Sequence, residues 1–230
     1  MSDIQMSLVE HLTELRKRLL LSISALIVFS IGSYLFAERI IDILTHPVGK
    51  ELVYLTPPEA FFTQLKISFF TGFLVALPII LYQVWKFILP GLKNNEMKYL
   101  LILVPLSYLF FVGGAAFGFF VVIPFGIKFF LGFTSNNLEA MFSLSKYISF
   151  IISILIPFGV VFELPLLITL LVKLNLITSE FLTSNRRYVI VSIFVFAAIL
   201  TPPDIISQTM MALPLILLYE GSIIVAKIIE

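Results

Sequence analysis

The chain has 230 residues, 60% of them hydrophobic and only 13% charged, with a formal net charge of +1. A soluble domain carries about 25% charged and roughly half apolar residues, so this composition excludes an ordinary water-soluble globule. The near-neutral balance implies no polyanion partner, and the absence of cysteine excludes disulfides and thiolate metal sites.

The N-terminus lacks the pattern of a cleaved signal peptide, because its basic cluster starts only at Arg16 and no small-x-small site follows the apolar run. The first span is therefore expected to stay as an anchor. In "SLVEHLTELRKRLL" (7–20), Ser7 and Glu10 make a capping-box pattern, while Leu8, Leu12, Leu15 and Leu19 recur at helical spacing. This predicts an amphipathic helix over 7–18 running into the first span. Glu14 and Arg18 stand four apart and can pair on its surface; the alternative for Glu14 is a binding role. His11 has no second ligand at metal spacing and reads as an interfacial histidine.

Six transmembrane helices are predicted at 19–37, 67–89, 99–123, 147–172, 188–201 and 208–226. Most approach the ~20 apolar residues that a helix needs to cross a bilayer. The period-two alternation of a membrane barrel is absent. With the N-terminus inside, the inner segments carry ten cationic residues: Arg16, Lys17, Arg18, Lys86, Lys93, Lys98, Lys173, Arg186, Arg187 and Lys227. The outer segments carry five: Arg39, Lys50, Lys66, Lys128 and Lys146. Lys and Arg resist translocation, so the bias predicts both termini in the cytoplasm. The fifth stretch, "YVIVSIFVFAAIL", is thirteen residues long, about 20 Å of helix, and short for a crossing.

Pro78, Pro105, Pro157, Pro165 and Pro214 fall inside the predicted spans. Each removes a backbone donor and bends its helix, which predicts a curved wall with a concave face. "GAAFG" (114–118) has the small-xxx-small spacing of a close helix contact. "LTPPE" (55–59) and "LTPPD" (200–204) are helix-start patterns, with Thr56 or Thr201 capping and Glu59 or Asp204 closing the box.

Two acids stand out further along. Glu96 is the single acid of the loop "QVWKFILPGLKNNEMKY" (83–99), where Lys86, Lys93 and Lys98 surround it. It is either a solvated glutamate balanced by lysines or a carboxylate offered to an incoming cation, with Trp85 and Phe87 beside it. Glu163 is the one charged residue between Tyr147 and Val172, ~15 Å below the cytoplasmic end of its predicted helix. An acid at that depth is a functional-site candidate; the bland alternative is a protonated glutamate bonded to a neighbouring helix. No HExxH, GxSxG or Walker pattern is present.

"HLTELRKRL" (11–19), "PPEAFF" (57–62), "ALPIILYQVWKFILPGL" (76–92), "FELP" (162–165) and "LTPPDIISQ" (200–208) together resemble the TatC family, the large polytopic subunit of the twin-arginine (Sec-independent) protein translocase. The resemblance implies a single all-α membrane domain over 1–230, with six bent, tilted spans around a concave face and both termini cytoplasmic. It implies a place in the inner (plasma) membrane and no enzymatic activity. The job would be that of receptor and core subunit, which recognises Arg-Arg signal peptides and nucleates export of folded proteins, energised by the proton gradient. Carried over by motif, Glu96, Glu14 and Phe87 would bind the signal peptide, and Glu163 would be the intramembrane polar site. Gln208 and Thr201 would contact single-span partner subunits, in a homo- and hetero-oligomer. Met97 follows Glu96 where the family often has a basic residue. No cofactor, metal or nucleic-acid partner is expected. The residues alone also allow a proton- or ion-coupled small-solute transporter using Glu163.

Overall fold

The computed structural model describes residues 8–46, 52–88, 97–132, 142–174, 176–200 and 205–230. Glu96 and Thr201 lie outside these residues, as do Ser7 and Asp204 of two of the three predicted caps. The predicted amphipathic segment and first span form one continuous helix, α1 (Leu8–Tyr34), followed by α2 (Ala37–Thr45). The two axes differ by 82°, so the chain turns aside just where a straight span to residue 37 is predicted. The turn closes with i→i+3 bonds from the Leu35 and Phe36 N–H groups to the Gly32 and Ser33 carbonyls (3.4 and 3.0 Å).

The second predicted span is α3 (Glu59–Ile88). The third is α4 (Met97–Phe117), a π-helical turn (Gly118–Val122) and α5 (Ile123–Leu131). The fourth is α6 (Leu144–Phe162) and α7 (Leu164–Lys173), broken at Glu163. Pro165 therefore sits in the first turn of a new helix, where its missing N–H deprives no bond. A short α8 (Ser179–Ser184) precedes α9 (Arg186–Leu200) and α10 (Ile205–Ile229). Among the described residues, four stretches are long and apolar enough to cross a bilayer: Glu59–Ile88, Leu100–Phe129, Leu144–Lys173 and Met211–Ile229. The bent pair of α1 and α2 makes a fifth if taken together. At 15 residues, α9 reaches about 22 Å.

The chain divides into two compact units, Met1–Tyr108 with Ser143–Ile148, and Leu109–Phe142 with Ser149–Glu230. In the first, α1 packs along α3, which is possible because Gly72 has no side chain: a Cβ there would overlap the Ser30 backbone. At the start of α3, Glu59 gathers the connections. Its Oε2 accepts from the N–H groups of Leu55 (2.6 Å) and Thr56 (3.3 Å), and its Oε1 from the Ser143 hydroxyl and the Ser145 N–H (3.1 Å). The box at Thr56 is thus half built, with the carboxylate reaching back while the Glu59 N–H bonds the Thr56 carbonyl instead of its hydroxyl. Trp85 is only 4% exposed, and its indole N–H donates to Ser107 Oγ at 3.0 Å.

In the second unit, α4 meets α6 through Gly114 and Gly159, and α10 packs against α7, α8 and α9. Tyr219 donates to the Leu182 carbonyl (2.8 Å), and Arg186 pairs with Glu220 (2.9 Å). The Ser179 hydroxyl and N–H both donate to Glu230, whose carboxyl they hold below the usual glutamate range.

Candidate functional site

Because α1 and α3 run in opposite directions, the start of one lies beside the end of the other. His11 stacks on Phe87 with ring centroids 4.6 Å apart, Arg18 reaches Gln83, and Tyr34 reaches Gln64. This register leaves a groove of about 620 Å³ lined by Val9, Thr13, Glu14, Lys17, Arg18 and Leu21 of α1, and by Tyr82, Gln83 and Lys86 of α3. One carboxylate faces three cationic side chains there.

Arg18 holds the groove together. Its Nη2 donates to Glu14 Oε1, and its Nη1 to Gln83 Oε1 at 3.3 Å. The i, i+4 pairing expected on the helix surface is therefore present, but it is not a surface pair. The Arg18 and Glu14 side chains are only 11% and 23% exposed. Glu14 Oε2 and Arg18 Nε are both buried and find no hydrogen-bond partner among the described residues. Lys86 lies 5.5 Å over the Tyr82 ring, a cation–π contact.

Of the predicted site residues, Glu14 and Phe87 belong to the first unit, Glu14 inside the groove and Phe87 on the His11 stack. Glu96 lies outside the described residues. Glu163 belongs to the second unit, in the turn between α6 and α7, with φ −74° and ψ −16°; its N–H bonds the Val160 carbonyl (3.1 Å) and its carbonyl receives the Leu167 N–H (2.9 Å). Gln208 joins two helices of the same unit, its Nε2 donating to the Phe194 carbonyl at 2.9 Å. Thr201 is outside the described residues. Sequence reasoning missed Gln83, Lys17 and Lys86 as parts of the groove. The spacing Tyr82, Gln83, Lys86 puts these residues near one edge of a helix end, but what they face depends on the α1–α3 register.

The family described as "Sec-independent protein translocase protein (TatC)" matches residues 10–214. The TatC protein of Desulforapulum autotrophicum is 46% identical over 225 residues, covering 95% of this chain and 83% of the relative. That of Carboxydothermus hydrogenoformans is 45% identical over 234 residues, covering 100% and 96%. A crystal structure of the twin-arginine translocase receptor TatC superposes with a TM-score of 0.86 at 42% identity, covering 96% of this chain and 99% of that one.

Proposed function

This chain belongs to the TatC family of Sec-independent protein translocase proteins, and from that premise we propose that it recognises Arg-Arg signal peptides at its cytoplasmic face and nucleates the export of folded proteins. The family is one of membrane-spanning translocase components, not enzymes. The observation that best supports the recognition role is the groove: it keeps Glu14, with one oxygen that has no hydrogen-bond partner among the described residues, at the end of α1 that the Lys/Arg bias assigns to the cytoplasm. A guanidinium matches a carboxylate through two parallel bonds, and an ammonium cannot copy that geometry.

In this reading Glu96 is the second acid, on the segment leading from α3 into α4, and Phe87, near the end of α3, offers the peptide apolar contact. Glu163 gives the membrane-embedded part of the signal peptide or a partner helix a polar point to meet. Gln208 and Thr201 form the docking patch for single-span partner subunits. The protein sits in the inner membrane with both termini cytoplasmic, in a homo- and hetero-oligomer energised by the proton gradient. No described feature of the groove favours a solute transporter, and the family membership argues against one.

Binding of a labelled Arg-Arg peptide to the purified protein in detergent, compared with its Lys-Lys version, tests recognition. The Arg-Arg peptide is expected to bind more tightly, and Glu96→Gln to erase the difference. Equal binding of both peptides to wild type rejects the reading. The orientation has its own test, made simple because the chain has no cysteine. A membrane-impermeant maleimide should reach Ser184→Cys only from the cytoplasmic side and Leu55→Cys only from the outer side, since both positions are exposed. The reverse pattern inverts the topology.

A further inference from the structure

We propose that Arg18 is an internal occupant of the recognition site, a guanidinium of the chain itself that fills the place an incoming arginine must take. This rests on the reading of Glu14 as a recognition residue. Arg18 places its two terminal nitrogens on two acceptors from different helices, Glu14 Oε1 on α1 and Gln83 Oε1 on α3. That pair of acceptors is shaped for one guanidinium, and the resting protein already supplies it.

Burial makes the occupancy consequential. Glu14 Oε2 is buried, and Arg18, with a side chain 11% exposed, sits on Oε1, so a guanidinium that takes Oε1 must displace Arg18. The internal contact is also incomplete. Arg18 meets Glu14 through a single nitrogen and a single oxygen, and among the described residues Glu14 Oε2 and its own Nε have no hydrogen-bond partner. A signal-peptide arginine that engages both carboxylate oxygens makes a bond that Arg18 does not make, so exchange favours it. Lys17 and Lys86 line the same groove, and their charge disfavours any added cation that does not displace Arg18 from the carboxylate. Arg18 thereby sets the threshold of affinity a peptide must exceed.

Arg18→Lys separates this role from a merely structural one, because it keeps the charge and loses the two-armed geometry. The purified variant is expected to bind the Arg-Arg peptide roughly two- to five-fold more tightly than wild type, the strength of a modest ion pair released from competition. The Lys-Lys peptide gains no more than that. The peptide-free melting temperature falls slightly, while the rise in Tm on adding peptide grows; a structural role would lower both. Arg18→Gln, which also removes a repelling charge, should tighten binding further. If Arg18→Lys melts cooperatively yet binds no more tightly than wild type, while Glu14→Gln still weakens binding, the internal-occupant proposal is overturned and Glu14 keeps its role. If Glu14→Gln leaves Arg-Arg binding unchanged, both fail.

Discussion

Gly114→Ala is expected to lose about 1–3 kcal/mol of unfolding free energy in detergent, the usual penalty for overpacking a tight contact, while Gly113→Ala next to it loses none. A Cβ built on Gly114 meets the Phe158 carbonyl oxygen at 2.5 Å and the Phe162 side chain at 2.7 and 2.8 Å. A backbone carbonyl inside α6 cannot step back without moving its helix, so the strain must spread. Gly113, one residue earlier on the same helix, has nothing within 4 Å of its Cβ position, and alanine there only gains helix propensity. Gly118 is intermediate, with its nearest contact a flexible Leu155 methyl at 3.2 Å. Denaturant-induced unfolding of the three alanine variants should therefore rank Gly113→Ala as the most stable, then Gly118→Ala, then Gly114→Ala. Equal midpoints for the Gly113 and Gly114 variants would mean that α4 and α6 do not approach this closely.

That ranking shows what is legible in the sequence and what is not. The small-xxx-small spacing of "GAAFG" announces a close helix contact, and the structure has it, but spacing alone cannot say which glycine carries the burden. Helix positions follow from apolar run length, because a chain without the alternation of a barrel has only the helix to satisfy its backbone in the hydrocarbon core. Where helices break is harder to read. No proline or glycine occupies Leu35 or Phe36, yet the chain turns there by 82° into α2. Pro165 is visible as a helix breaker, but the break falls two residues earlier, at Glu163. The candidate site shows the same division. Glu14 and Arg18 can be paired by counting four residues, whereas Gln83 joins them from 65 positions away. Only the register of α1 against α3 turns a helix-surface ion pair into a shielded, three-membered contact.

Glu59→Ala is the second substitution with a large expected effect, and among carboxylates of the described residues it is expected to lower the melting temperature most. The side chain accepts four hydrogen bonds, from the Leu55 and Thr56 N–H groups before α3 and from the Ser143 hydroxyl and Ser145 N–H at the start of α6. Alanine leaves all four donors without that acceptor, and a donor stripped of its partner is penalised more than an intact bond is rewarded. The neighbouring ties do not compensate. Lys66 Nζ donates to Ser145 Oγ (3.0 Å) and Tyr147 to the Leu44 carbonyl (2.9 Å), so neither supplies an acceptor for the abandoned N–H groups. Glu59→Gln should fall between alanine and wild type, since the amide keeps one acceptor oxygen but turns an NH₂ toward donors. Ser143→Ala should cost less than either, because it removes one donor and leaves the carboxylate three others. Thermal unfolding in one detergent gives the order directly. A Glu59→Ala protein that melts with wild type would mean that water replaces the carboxylate at all four donors, and that the Ser143–Ile148 segment is held to α3 by apolar packing and the Lys66–Ser145 bond without it.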